Sequence, residues 1–127
     1  MKDYDNFFLP VNNLGLAKDF YKNILGLSVK FDFSERGMVA FKVGKQEKAI
    51  VLKDINKFQK TKPAIWFVVD DVRETFDELK GKGVEFLSEP FQIQTGMAVE
   101  FDDPFGNRLG ITDYSKKQER ATASGGE

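Results

Sequence analysis

The chain contains no cysteine and no histidine. Without thiols, disulfides, thiolate nucleophiles and cysteine zinc sites are excluded together. Without imidazole, Ser-His-Asp triads, Cys-His pairs and histidine-held zinc or iron are excluded as well. Any acid-base chemistry falls to carboxylates, lysines or tyrosines with shifted pKa values. No apolar run is long enough to span a bilayer, and no basic segment followed by an apolar one opens the chain. A dominant charge is lacking too: nineteen Lys and Arg face twenty Asp and Glu, with no long block of either sign. That balance gives no electrostatic case for nucleic acid or an anionic membrane as partner. The expectation is a soluble, cytoplasmic protein.

What is present suits one ordinary core. A chain of 127 residues is one domain's length, and such a chain buries roughly two thirds of the surface its unfolded form exposes, so no covalent staple is required. Phenylalanine is enriched, with thirteen copies beside one Trp and three Tyr. Two accounts fit: the rings fill the core of a β-rich domain, or they wall a pocket for a flat or apolar ligand.

Along the chain the pattern runs strand, helix, three strands, and then the same again. "FFLPV" alternates, with Phe7, Leu9 and Val11 on one face and Asn6, Phe8 and Pro10 on the other. Asn13 precedes "LGLAKDFYKNIL", whose apolar residues recur at helical spacing as far as Gly26. "LSVKFDF", "MVAFKV" and "KAIVLK" then alternate as strands separated by turn-like segments. In the second half "AIWFVV" reads as a strand, and "DDVRETFDELKGKG" as a helix with a capping box at Asp71 and Glu74. "VEFLSE", "MAVEF" and "NRLGITD" follow as strands, the last two joined by a turn that uses Pro104 and Gly106. "MVAFKVGKQEKAIVLKD" overlays "MAVEFDDPFGNRLGITD" without a gap, which puts Val51 on Gly110 and Asp54 on Asp113. The match implies a duplicated unit within one domain over residues 1–114, with module one at about 5–54, a linker at 55–62 and module two at about 63–114. Residues 115–127 read as a polar, mobile tail.

The segments "NNLGLAKDFYKNILGL", "VVDDVRETFDELKGKGVEF" and "FDDPFGNRLGITD", in that order, resemble the vicinal oxygen chelate superfamily, also called the glyoxalase, bleomycin-resistance and dioxygenase group. The resemblance covers about residues 5–114. It implies an α+β fold, a pair of βαβββ modules whose strands curl into a half-open barrel around a pocket, often in a homodimer. In metal-using members the ligands stand at the start of the first strand and on the last strand of each module. Those places fall here on Asn6, Val51, Ala64 and Gly110. One neutral amide among hydrocarbon cannot hold a Lewis-acid cation, so the expectation is no metal and no cofactor.

Strand alternation then assigns the pocket walls. Leu109 and Ile111 should face the helices, leaving Arg108, Gly110 and Thr112 toward the pocket. Gly110 either opens space where a ligand can approach the backbone or marks a bulge. Asn6 and Phe8 look inward from the first strand and Trp66 from the fifth. The indole offers a stacking surface and one donor, or else plugs the cavity or sits in a dimer interface. Arg108 offers a two-pronged grip on a ligand carboxylate or phosphate, or is an ordinary edge arginine. Phe33, Phe41, Phe91 and Met97 are candidates for the pocket rim, subject to a one-residue slip that would turn each into core. Glu100 is the one carboxylate placed to look inward as an acid or base, unless it is solvated or paired with a lysine. No residue is assigned a catalytic role.

Three functions compete. The first is a metal-free binder, more a binding protein than an enzyme, that sequesters a small, partly aromatic molecule in the manner of bleomycin-resistance proteins. The second is a lyase, isomerase or dioxygenase of the same superfamily with an atypical metal site or carboxylate chemistry. A structural or regulatory homodimer with a filled cavity is the third.

Overall fold

The structure, a computed structural model, describes residues 1–116. From residue 117 onward the expected tail lies outside the described residues. Two compact units emerge. Module one is Asp5–Ile65, and module two joins Met1–Tyr4 to the chain from Trp66 onward. The opening residues are tied to module two by Lys2, whose backbone N–H donates to the Val68 carbonyl at 2.8 Å and whose ammonium pairs with Asp70.

Module one is built from β1 (Asp3–Val11, from Asp5 onward), α1 (Leu14–Asp19), β2 (Ser28–Phe33), β3 (Met38–Lys42) and β4 (Ala49–Asp54). Its strands run in the order β2-β3-β4-β1, with β1 parallel to β4 and the other pairs antiparallel. Asn13 caps α1 as its sequence position predicts: the side-chain oxygen accepts from the Leu16 N–H at 3.0 Å, satisfying one orphan donor of the first turn. The helix continues as a π turn over Phe20–Ile24, in which the Leu25 N–H reaches back to the Phe20 carbonyl. Its inward face packs on the sheet in a core of Leu14, Val39, Phe41 and Leu52, with Leu9, Tyr21 and Val29 against it. Leu52 is fully buried there, and truncating such a side chain to Ala costs about 2–5 kcal/mol.

Module two repeats the order with β5 (Ala64–Val68, from Trp66 onward), α2 (Val72–Gly81), β6 (Phe91–Ile93), β7 (Gly96–Asp102) and β8 (Arg108–Thr112). Here the strand order is β5-β8-β7-β6. Asp71 caps α2 by accepting from the Glu74 N–H at 3.1 Å. Val72 and Phe76 on the helix meet Val99, Phe101 and Ile111 on the sheet. Each module is therefore βαβββ, and the fold class is the α+β architecture of the glyoxalase/bleomycin resistance-like fold.

One strand differs from expectation. "VEFLSE" is reduced to a single bridge from Phe86 to Phe101, while pairing resumes at Phe91 opposite Ala98. From 86 to 91 the chain takes five steps where β7 takes three, so the segment ending at Pro90, which has no N–H to donate, loops out of the ladder.

The nearly neutral chain divides into modules of opposite sign. Residues 5–65 hold eleven Lys and Arg against six Asp and Glu, whereas residues 66–114 hold four against eleven.

Candidate functional site

In module two, alternation along β7 and β8 separates a face that packs on α2 from one that does not. Val99, Phe101, Leu109 and Ile111 lie on the helix side, so Glu100, Arg108, Gly110 and Thr112 turn to the helix-free face. Glu100 stands directly across from Gly110, and Asp102 across from Arg108. Trp66 comes to the same place: its Nε1–H donates to Glu100 Oε2 at 3.0 Å, and the residue is 7% exposed. The glycine is explained by this ring. A Cβ at position 110 would lie 2.4 Å from the indole Cδ1 and Nε1, far inside van der Waals contact, so only a residue without a side chain lets the ring settle on the strand. Gly110 is not among the positive-φ residues, so what it supplies is room rather than backbone freedom. The volume expected to lie open to a ligand beside Gly110 is occupied by Trp66, which corrects that part of the sequence reading.

The neighbouring polar groups have partners within the module. Arg108 donates from Nε to Asp102 Oδ1 at 2.6 Å and from Nη2 to Oδ2 at 3.4 Å. The Asp102 carboxylate raises the guanidinium pKa above its ordinary value, against the opposing effect of burial. The two-pronged grip expected for a ligand anion thus already holds a sheet neighbour. Thr112 is buried and donates its hydroxyl to the Met97 carbonyl at 3.0 Å. Met97 packs against the helix-side core, which corrects its assignment to the pocket rim. Phe91, on β6 opposite Ala98, remains 40% exposed.

Behind this face Asp113 acts as a clamp that sequence reasoning did not identify. Its buried carboxylate accepts from the Val72 N–H at 2.8 Å, the Met97 N–H at 3.0 Å, and the Ser115 hydroxyl at 2.7 Å. Burial alone would push its pKa up, yet the backbone donors of Met97 and Val72 together with Ser115 outweigh it and hold the carboxyl below its ordinary range. The start of α2, the start of β7 and the turn after β8 are joined at this one side chain.

In module one, the Asn6 side-chain oxygen accepts from the Ala49 N–H at 3.1 Å, so it serves the sheet. Phe8 lies opposite Val51 and is almost fully buried. Phe41 is fully buried in the helix-side core, stacked on Tyr21 with ring centroids 5.6 Å apart, which corrects its assignment to the pocket rim. The reason is a difference in hairpin length. Lys42 and Ala49 close a six-residue loop in module one, and Asp102 and Arg108 a five-residue loop in module two. The gapless overlay sets Phe41 on Glu100, whereas in the sheets Ala40 opposes Val51 as Glu100 opposes Gly110.

Phe33 is 40% exposed and stacks on Phe31 at 4.8 Å between centroids. A bulge puts both on the helix-free face. Val29 pairs with Phe41 but Phe31 already pairs with Ala40, so Lys30 is an extra residue and the strand changes phase after it. Val29 therefore packs toward α1, while Asp32 reaches back to pair with Lys18 on that helix. Lys53, two residues beyond Val51, shares the face with Phe8. Its ammonium lies 5.3 Å from the Phe8 ring centroid and 4.6 Å from that of Phe58. Alternation in "KAIVLK" was a signal that could have found Lys53. The bulge hid Phe31, and Phe58 follows the last strand in a segment without periodicity.

The four positions that carry metal ligands in metal-using relatives do not fit a metal here. Asn6 offers an oxygen already bonded to Ala49, Val51 and Ala64 offer hydrocarbon, and Gly110 has an indole against it. Among the described residues no group of three or more His, Cys, Asp or Glu could hold an ion. A hollow of about 480 Å³, lined by Lys2, Asp70, Asp71, Glu74, Asp77 and Glu78 among others, lies beside α2 rather than on the helix-free face. Its solvated acids bring no convergent chemistry.

The family model of the Glyoxalase/Bleomycin resistance protein/Dioxygenase superfamily matches residues 4–111. The uncharacterized protein YetH of Bacillus subtilis (strain 168) is 41% identical over 49 residues, which make up 39% of this chain and 41% of that protein. The matched segment thus spans less than half of that relative. A solved structure of a hypothetical protein from Bacillus halodurans C-125 superposes with a TM-score of 0.68 at 22% identity, covering 87% of this chain and 92% of the other. Methylmalonyl-CoA epimerase from Mycobacterium tuberculosis gives a TM-score of 0.67 at 18% identity and covers 87% of each chain. At such identities the structural likeness speaks for the fold alone. Nearly the whole described chain falls within the family match, and both modules have the order that the sequence motifs implied; the chain belongs to the glyoxalase/bleomycin resistance protein/dioxygenase superfamily.

Proposed function

We propose that this chain is a binding protein of its superfamily, a cytoplasmic homodimer that holds a small, partly aromatic molecule against its helix-free sheet faces without a metal ion. The observation that carries this reading is the fixed indole. Trp66 is seated on Gly110 and anchored by Glu100, so ring surface stands where metal-using relatives place a ligating carboxylate. At 7% exposure the indole presents a ligand only a small part of its ring, but it does so already held in one orientation, at little further cost in freedom. The unsuitable donor set at Asn6, Val51 and Ala64 supports the same reading.

The test uses matched pairs of aryl carboxylic acids and their primary amides, from benzoic to naphthoic. Trp66 is the only tryptophan, so its fluorescence reports directly, and saturable quenching is expected. Trp66→Phe should weaken binding by roughly 5-fold in calorimetry, the equivalent of about 1 kcal/mol of ring contact. EDTA should leave affinity unchanged. Binding that is indifferent to Trp66→Phe, or that disappears with EDTA, overturns the reading.

A second reading, proton transfer, is supported by Glu100. Its carboxylate is oriented by an indole N–H on the helix-free face, which suits a group that moves a proton, and one fold neighbour is a methylmalonyl-CoA epimerase. Solvent deuterium entering the α-carbon of propionyl-CoA, and failing to enter with Glu100→Gln, would favour it over simple binding.

A further inference from the structure

On the helix-free face of module two, the Glu100 carboxylate is only half engaged. Oε2 accepts from the Trp66 indole N–H at 3.0 Å, which holds the group in place. Oε1 accepts no hydrogen bond among the described residues, and since none of their buried side-chain oxygens lacks a partner, it is open to solvent. Arg108 is the nearby cation, but it is bound to Asp102, so Glu100, Asp102 and Arg108 together keep one negative charge in excess. Around them residues 66–114 hold eleven acidic residues against four basic ones, a field that disfavours anions. Two exposed apolar side chains flank the carboxylate. The Leu87 N–H donates to the Glu100 carbonyl at 3.0 Å, and because its neighbour Phe86 packs into the helix-side core, Leu87 turns the other way, 50% exposed. Phe91 opposes Ala98 and is 40% exposed, which sets it diagonal to Glu100 at about 7–8 Å, within the reach of an aromatic ring.

We propose that Glu100 is a specificity-determining residue that selects an N–H donor and turns away carboxylates, so that the ligand taken by this face is a flat aromatic primary amide. The inference rests on the reading that the helix-free faces bind small aromatic molecules, and it adds the polar group by which one is chosen. The amide N–H donates to Oε1 in a charge-assisted hydrogen bond. The ligand ring then lies across Leu87 toward Phe91. A ligand carboxylate in the same place would set two acceptors of like charge against each other, with no proton to share.

The experiment compares 2-naphthamide, methyl 2-naphthoate and 2-naphthoate on the full chain by calorimetry. The three share a ring system and present, in turn, a donor, neither donor nor charge, and a negative charge. Wild type is expected to bind the amide at least about 10-fold more tightly than the ester, the difference that a hydrogen bond to a charged group makes. The acid should bind more weakly than the ester, and added salt should help only the acid. Glu100→Gln keeps the size and an acceptor for the indole but removes the charge; it should lift the acid to the affinity of the ester and shrink the lead of the amide. Leu87→Ala should weaken all three probes by one common factor. Urea midpoints establish that both variants fold. Equal affinity of wild type for amide and ester, or a lead of the amide that survives Glu100→Gln undiminished, overturns the inference and leaves the binding reading intact. If none of the three probes binds wild type, the binding reading falls and takes this inference with it.

Discussion

Val51 and Gly110 hold the same place in the last strand of their modules, yet their surroundings differ. Val51 is a fully buried residue between Phe8 on one strand and Ala40 on the other, and it fills its site with its own side chain. Gly110 fills nothing itself and lets Trp66 do so from β5. The overlaid pair Asp54 and Asp113 diverges in the same way. Asp54 accepts from the backbone and side chain of Asn56 two residues on, which closes its own turn. Asp113 gathers donors from two distant elements. A duplicated pattern has thus kept its strands while module two has moved its packing and its hydrogen bonding to long-range partners.

Breaking the clamp should give the largest effect. Asp113→Ala is expected to cost about 3–5 kcal/mol, because it leaves buried N–H groups without an acceptor, whereas Asp54→Ala should cost about 1 kcal/mol or less; urea titrations of both variants measure the contrast. The acid limb sharpens it. Because the Asp113 pKa is lowered on folding, the unfolded chain binds more protons near pH 4 and stability rises with pH there. That contribution is complete above the unfolded carboxylate pKa and fades as pH falls through the folded one. Asp113→Asn should flatten this limb, and an unchanged acid midpoint would contradict the clamp.

Reversing the size relation at the paired strand positions comes next. Gly110→Ala should destabilise by about 1–3 kcal/mol through overpacking against the indole, and Val51→Ala by about 1–3 kcal/mol through lost volume. Combined with Trp66→Leu, the Gly110→Ala penalty should shrink, since the two share one contact. Additive penalties would mean that the indole is not what requires the glycine.

The smallest effect is expected at the surface pair on module one. Lys18 first, and then Ser34, lower the Asp32 pKa to about 2. The pair is about one third exposed on each side, so Asp32→Asn should cost only about 0.2–1 kcal/mol, diminishing in salt. A larger loss would show that the bulged strand depends on this pairing.

Much of this was legible in the sequence because it is local or periodic. Asn13 and Asp71 announce helix starts through side chains that reach only three residues ahead. Leu109 and Ile111 announce the buried side of β8 by alternation, and the same rule puts Trp66 on the helix-free face, where it meets Glu100. What alternation cannot see is a change of phase. The Lys30 bulge and the unequal hairpin loops each shift a strand by one residue, which is why Phe41 was misplaced and Phe31 overlooked. Met97, the second residue of β7, alternates with Val99 and Phe101 and so shares their side, which placing Glu100 on the other face already implied. The roles of Gly110 and Asp113 depend on residues more than fifteen positions away, and no spacing rule connects them.

The bulge at Lys30 also bears on how such a chain diversifies. Taking Lys30 into the ladder as an ordinary paired residue would invert Phe31, Asp32 and Phe33, sending the carboxylate to the side the rings now occupy, while the hairpin from Met38 to Asp54 kept its register. Whether one residue is looped out or paired at that point therefore decides which side chains the outer sheet face displays.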